Sequence, residues 1–296
     1  MKGKLGVGAV IAVVCAICFI LFAVLGIVFV VSSAWSGSLS DLFNFRDGLP
    51  FRIGPAESHE IDDLEARDDD EFDEIRINTV SSEIRVRVGG DQVRAHLSGT
   101  CRSVSGPVQL DMTADGDILR IKVEYPVFGL LRSDLVLEVT VPASFAGRIR
   151  AASVSGDVSV QLEGIVLEDL EASSVSGRLD VTGGSYARGD FSTTSGRIEV
   201  SGSDGALDLH TVSGGIRVKP AVLAVMDIGT TSGSVELEVG PAAAFDLAFT
   251  SVSGSVDSDI EYTSTGGSGR NVSGRFGGGG PAVTIRTVSG DLRILG

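Results

Sequence analysis

Beyond residue 148, apolar and polar side chains alternate in short runs, and each run meets a Ser-Gly pair. Val158-Ser159-Val160, Ile198-Glu199-Val200 and Val235-Glu236-Leu237 follow such pairs. Leu207-Asp208-Leu209-His210 and Val283-Thr284-Ile285-Arg286 precede them. A period of two turns alternate side chains to opposite faces, so these runs predict strands with one buried face. No stretch past residue 73 keeps a helical period. The N-terminal end reads differently: Leu5 to Val31 carries no charge at all. As a helix of about 1.5 Å per residue it reaches roughly 40 Å, beyond a hydrocarbon core of about 30 Å.

The alternating runs repeat. Their shared motif is Ser/Thr, Val/Thr, Ser, Gly, any residue, aliphatic, polar, and usually another aliphatic. It places Ser-Gly pairs at Ser155-Gly156, Ser176-Gly177, Ser195-Gly196, Ser213-Gly214, Ser232-Gly233, Ser253-Gly254 and Ser289-Gly290. The glycines step by 21, 19, 18, 19, 21 and 36 residues. The last step reads as two periods, with Asn271-Val272-Ser273-Gly274 as a degenerate copy. Two short strands and a sharp corner per ~19 residues predict a β-solenoid coil. The fold class expected is therefore all-β, a single-stack, parallel β-helix-like solenoid with an irregular β cap, preceded by one N-terminal transmembrane helix. Seven or eight coils at about 4.8 Å each would give a rod of roughly 35 Å. Glycine at the corner is expected for its access to positive φ. The neighbouring serine is expected to bond the local backbone or to stack as a hydroxyl ladder.

Four segments follow from this reading: 1–33, a short stub and membrane helix; 34–73, an acidic extended linker; 74–148, an irregular β region of first coils and cap; and 149–296, the repeats. In the third segment Ile84-Arg85-Val86-Arg87-Val88 and Ile118-Leu119-Arg120-Ile121 alternate, and Gly89-Gly90-Asp91 is a turn signal. Thr79-Val80-Ser81-Ser82 and Ser103-Val104-Ser105-Gly106 are faint repeat copies. The linker holds eleven acids and one arginine between Glu57 and Glu74, a block that repels itself and predicts a solvated spacer. The chain stops just after its last strand, so the C-terminal coil is expected to be an uncapped end. Either the glycine-rich loop from Thr263 to Pro281 covers it, or another molecule does.

Lys2 and Lys4 precede the apolar segment and Arg46 is the next basic residue. The positive-inside bias then puts the N-terminus in the cytoplasm, with a single pass through the bilayer at residues 5–31 and the remainder outside. A cleaved signal peptide, with Ser32-Ser33-Ala34 as its site, competes, but the apolar run is nearly twice the usual length for one. Composition narrows the chemistry. The 296 residues include 39 glycines and 17 aromatics among 13 Phe, 3 Tyr and 1 Trp. Corners consume glycine, and a narrow coil interior suits Val, Ile and Leu better than rings. Beyond residue 31 the chain has 39 acids and 22 basic residues, a net −17, which excludes a nucleic-acid binder. Three cysteines and three histidines suggest no disulfide framework, metal site or cofactor. Asp157, Asp180, Glu199, Glu236 and Asp257 recur after the corners, with Arg217 and Arg293 in equivalent places. They read as a mixed-charge surface ladder, the alternative being a polysaccharide-acting enzyme that uses those acids. No GxSxG elbow and no suitably placed histidine suggests a catalytic set.

These repeats, together with Gly277-Gly278-Gly279-Gly280 and the closing Ile285-Arg286-Thr287-Val288-Ser289-Gly290-Asp291-Leu292, resemble the bacterial putative-adhesin family of β-strand repeat domains. The resemblance covers about residues 74–296. It implies an anchored or exported β-solenoid, in some members tied to envelope stress, and it carries over no catalytic residues. The expectation is a non-catalytic structural or binding module. Its partner would be an envelope protein or glycan, or a second copy met through the C-terminal coil.

Overall fold

The computed structural model describes residues 56–67, 72–126, 130–268 and 270–296. The apolar segment at 5–31, and the membrane helix expected there, lie outside the described residues. Among those described, no helix is long and apolar enough to cross a membrane.

Strands follow one another throughout. The first part holds β1 (Glu57–Arg67), β2 (Glu74–Asn78), β3 (Glu83–Val88), β4 (Val93–Ser103), β5 (Gln109–Asp115), β6 (Ile118–Glu124) and β7 (Leu130–Val141). The repeats supply β8 (Arg148–Ser153), β9 (Val158–Gln161), β10 (Val166–Ser174), β11 (Leu179–Thr182), β12 (Ser185–Thr193) and β13 (Ile198–Ser201). They continue as β14 (Asp204–Thr211), β15 (Ile216–Lys219), β16 (Met226–Thr230) and β17 (Val235–Glu238). The last part holds β18 (Phe245–Thr250), β19 (Val256–Ser258), β20 (Tyr262–Ser268), β21 (Asn271–Phe276), β22 (Ala282–Thr287) and β23 (Leu292–Leu295).

Each coil gives one strand to each of two sheets. The twelve-stranded sheet runs β20-β21-β18-β22-β16-β14-β12-β10-β8-β2-β6-β5. The eleven-stranded sheet runs β1-β4-β7-β3-β9-β11-β13-β15-β17-β23-β19. Parallel pairing joins coil to coil in register, as in Leu179↔Ile198 and Leu209↔Ile228. The alternation read from sequence decides what faces inward: β14 buries Leu207, Leu209 and Thr211 while Asp208 and His210 between them stay half-exposed. Ile75, Ile77, Ile149, Leu209, Ile228 and Ile285 from one sheet meet Ile84, Val160, Val181, Leu237 and Ile294 from the other, all fully buried. Burying each such side chain is worth about 1.5–3 kcal/mol, which drives the sheets together. Rings are admitted where glycine makes room. A Cβ on Gly189 would meet the rings of Tyr186 and Phe191, so the glycine leaves space for Phe191 in the interior.

The order of coils departs from the order of the chain at both ends. The β2/β3 coil is not the first of the stack but lies between β6/β7 and β8/β9. More consequentially, the last coil in sequence is not the last in space. β22 pairs with both β16 and β18, and β23 with both β17 and β19. The C-terminal coil expected to be an open end is therefore enclosed on both sides, and the expectation that it offers a free edge for self-association is corrected. The chain lays down β18/β19 one coil further out and then returns to fill the slot. Val283, Ile285, Leu292 and Ile294 bury completely there, and four strand edges gain partners.

The 36-residue step is likewise no pair of coils. Asn271-Val272-Ser273-Gly274 belongs to β21, which pairs antiparallel with β18 and with β20. This hairpin seals the outer edge of β18. Its Phe276 stacks on Phe245 at 4.3 Å and on Tyr262 at 5.0 Å between ring centroids. At the opposite end, β5 closes one sheet and β4 with β1 the other, all antiparallel. The acidic segment expected to be a free spacer thus contributes a strand over residues 57–67. Its backbone pairs with β4 along its whole length while Glu57, Glu60, Asp62 and Asp63 stay in solvent and only Ile61 buries. Self-repulsion does not prevent a strand whose charges all remain hydrated, and charge on an outermost strand discourages further pairing.

Candidate functional site

The seven Ser-Gly pairs do stack at one corner, but the chemistry differs from the expected one. None of the seven glycines has positive φ. What they need is space. A Cβ on Gly156 would lie within 2.0 Å of the Ser82 carbonyl oxygen, and one on Gly177, Gly196, Gly214, Gly233, Gly290 or Gly254 would lie 1.6 to 2.0 Å from the carbonyl oxygen of the glycine one coil away. The glycines form a column from Ser82 through Gly290 to Gly254, in which each amide plane rests on the next.

The serines before them, Ser155, Ser176, Ser195, Ser213, Ser232, Ser253 and Ser289, point outward and are exposed. Their backbone N–H groups carry the rungs. Ser176 donates to Val154 O at 3.0 Å, Ser195 to Val175 O at 2.9 Å and Ser232 to Val212 O at 2.9 Å. The hydroxyl ladder belongs to the residue three before the glycine, which sequence reasoning passed over. Gly156, Gly177, Gly196 and Gly214 N–H donate to Ser153, Ser174, Thr193 and Thr211 hydroxyl oxygens at 2.9 to 3.1 Å. The Ser174, Thr193 and Thr211 hydroxyls in turn donate to the carbonyl of the neighbouring coil's glycine, at 3.3 to 3.4 Å. The signal was present: the first motif position is Ser or Thr in every copy. The corner is a structural clamp, with no nucleophile set against a base.

The broad outer faces carry the charge. On the eleven-stranded sheet the register forms one lateral row of His96, Glu138, Arg85, Ser159, Asp180, Glu199, Arg217, Glu236, Arg293 and Asp257. Four of the five post-corner acids lie here, interleaved with arginines. Arg217 meets Glu236 at 2.9 Å, Arg87 meets Glu138 at 2.9 Å and Arg197 meets Glu199 at 3.2 Å. The fifth, Asp157, sits at the corner, where its carboxylate accepts the Arg178 N–H at 2.7 Å. The mixed ladder is as expected from sequence.

The twelve-stranded sheet is different, and nothing in the sequence pattern flagged it. Its central outer row reads Arg120, Arg76, Arg150, then Glu171, Asp190, Asp208, Asp227. Three arginines give way to four acids at successive strands about 4.8 Å apart. Beside the arginines lies Glu74, a buried carboxylate held by Arg76 at 2.5 Å, Arg150 at 3.1 Å and Arg148 at 3.9 Å. The bond from Arg76 keeps the Glu74 carboxyl below the usual range, against the opposing effect of its burial. In the acidic half, Arg188 binds Asp208 at 2.8 Å, His210 lies 2.5 Å from Asp208, and Arg286 binds Asp227 at 2.6 Å. Asp190 lies 3.7 Å from Arg188 and also feels His210. Burial first, then the Asp208 and Glu171 carboxylates, raise its affinity for a proton. Among the described residues no three His, Cys, Asp or Glu side chains converge as a metal set. An open cleft of about 460 Å³ is lined by Phe72, Asp73, Ser144, Phe145, Arg148 and Glu168.

Comparison with known proteins finds several solved structures to which this chain is similar. A putative cell adhesion protein from Clostridium sporogenes shares 10% identity over 80% of this chain and 99% of its own, with a TM-score of 0.39. A putative adhesin from Bacteroides fragilis shares 12% over 79% and 97%, TM-score 0.42. A putative adhesin from Parabacteroides merdae shares 11% over 82% and 97%, TM-score 0.33. No curated protein matches the chain. The sequence pattern of one domain family, described as Toastrack DUF4097, matches residues 69–295, essentially the whole two-sheet stack. The chain with its column of corner glycines belongs to the Toastrack DUF4097 family.

Proposed function

We propose that this protein is a membrane-anchored, extracytoplasmic, non-catalytic module that binds through the flat faces of its rod, in the manner of an adhesin or an envelope-stress scaffold. The observation that carries the reading is the charge-patterned face of the twelve-stranded sheet. It is long, in register and open, a surface for an extended partner rather than a pocket for a small substrate. The charge-free run from Leu5 to Val31 supports the anchor, and its basic flank supports export of the remainder.

Proximity cross-linking in intact cells tests the module. An envelope protein, a glycan or a second copy of the chain is captured by the parent chain and lost when Asp190 and Asp208 are both replaced by Asn. Glycan hydrolysis that disappears with one post-corner acid would overturn it. Fractionation tests the anchor: the full-length chain stays with membranes at high salt, and release of a fragment beginning near Trp35 would contradict it.

A further inference from the structure

We infer that the outer face of the twelve-stranded sheet docks a second copy of this chain about a two-fold axis. The inference rests on that face being a binding surface and adds its occupant. The axis lies in the plane between the two facing sheets, parallel to their strands and midway between β8 and β10. Rotation about it sets Arg150 against the partner's Glu171, Arg76 against the partner's Asp190, and Arg120 against the partner's Asp208. Six of the seven charges in the central row then meet their opposites, twice over, because an isologous interface repeats each contact; the seventh, Asp227, faces the partner's Thr113 and keeps its own Arg286.

The flanking rows fit the same operation. The register puts Arg148, Asp169 and Arg188 on one side of the central row and Asn78, Ala152, Ser173 and Ser192 on the other. The rotation keeps each residue at its own height along the strand, so Arg148 faces the partner's Asp169, Arg188 the partner's Glu74 and Ala152 the partner's Ser173. In these rows no two acids and no two arginines are opposed. The small side chains of Ala152, Ser173 and Ser192 let the two sheets approach. Eight strands, β5 through β16, at about 4.8 Å by five residues at about 3.3 Å give roughly 600 Å² per copy, near the lower end of specific interfaces. The intramolecular ion pairs of the acidic half are solvent-exposed and worth about 0–1 kcal/mol each, so exchanging them is inexpensive, while Arg76 and Arg150 keep the buried Glu74 and face the partner with their remaining guanidinium N–H groups. Asp190, with its nearest cation at 3.7 Å, gains most from a facing arginine.

The test is the mass in solution of the full-length chain in detergent, read by light scattering across a concentration series at 0.15 M salt. There the Debye length of about 8 Å screens repulsion between distant acids but not pairs in contact. The parent chain dimerises. Asp190→Arg weakens the dimer at least about tenfold, the equivalent of 1.4 kcal/mol. Adding Arg76→Asp to the same chain restores it to within about threefold, since the swapped charges again face each other across the axis. Arg76 also holds Glu74, so a second swap, Arg120→Asp with Asp208→Arg, repeats the test away from that carboxylate. Folding is checked by the melting transition. A parent that stays monomeric, a folded Asp190→Arg that dimerises as well as the parent, or two folded double swaps that both fail to restore the dimer would each overturn the inference. The mass of the purified chain and capture in cells are separate readouts, so a failed dimer leaves capture of an envelope partner to decide the module reading.

Discussion

The Tyr125 hydroxyl lies 2.8 Å from Ser82 Oγ, at the point where the corner column begins. Ser82 occupies the glycine position of its coil. The same hydroxyl is 3.0 Å from Thr79 Oγ1 and accepts the N–H groups of Ser81 and Ser82 at 3.1 and 3.0 Å. It supplies what a further coil would have supplied. Tyr125→Phe should therefore cost about 1–3 kcal/mol by leaving buried donors unmet, and a melting curve with amide exchange at Ser81 and Ser82 checks it. Unchanged exchange there would mean that water replaces the hydroxyl without loss.

The hydroxyl ladder separates two serine or threonine positions of one motif. Thr211→Val keeps the shape but orphans the Gly214 N–H, and should destabilise by about 1–3 kcal/mol. Ser213→Ala removes an outward hydroxyl and should stay within about 0.5 kcal/mol. Denaturant unfolding of the two variants decides it, and equal effects would refute the assignment of the ladder to the first position.

Enclosure of the last coil makes the far end cooperative. A chain ending at Gly280 lacks β22 and β23, which separate β16/β17 from β18/β19. We expect such a chain to lose protection from hydrogen exchange throughout 226–276, not only at the cut. Retained protection in β18 and β21 would show that the hairpin end holds without the returning coil.

Asp190 and Glu74 respond to pH in opposite senses. A raised carboxyl pKa in the folded state means that protonation favours folding, so Asp190 opposes stability at neutral pH and ceases to as pH falls through its folded pKa. In dilute solution, where the chain is monomeric, Asp190→Asn should raise the melting temperature at pH 7, and the gain should vanish once the parent is protonated below the ordinary carboxylate range. Glu74, lowered chiefly by its bond from Arg76, stabilises above its unfolded pKa of about 4.3 and loses that contribution as pH falls through its depressed folded value. Glu74→Gln should lower the melting temperature at pH 7 and bring no loss at strongly acid pH. Melting across pH 2 to 7 reads both, and parallel curves for variant and parent would contradict either.

Strands, coil period and corner positions were legible in the sequence because alternation and the Ser-Gly spacing are local. The reason for the corner glycine was not. A φ requirement and a packing requirement select the same residue, and only the stack reveals that Gly196 O fills the place of a Gly214 Cβ. The path of the chain was equally hidden. Val283 to Leu295 looks like one more repeat whether it ends the rod or fills a slot inside it. The charge row was hidden for a related reason. Arg76, Arg150, Glu171, Asp190, Asp208 and Asp227 are scattered over more than a hundred residues and become neighbours only through register. Acidic residues 57–67 misled because composition speaks of side chains, while β1 is held by backbone.

The corner column is the account's central claim, and adjacent glycines test it most directly. A Cβ on Gly214 would lie 1.6 Å from Gly196 O, whereas one on Gly215 would meet nothing nearer than Ser234 O at 3.6 Å. The measurement is the melting temperature of Gly214→Ala beside Gly215→Ala. The column predicts a loss of about 1–3 kcal/mol or more for the first, a drop of roughly 2–12 °C in a domain of this size, and a change of under about 2 °C for the second. Equal melting temperatures for the two variants would contradict it.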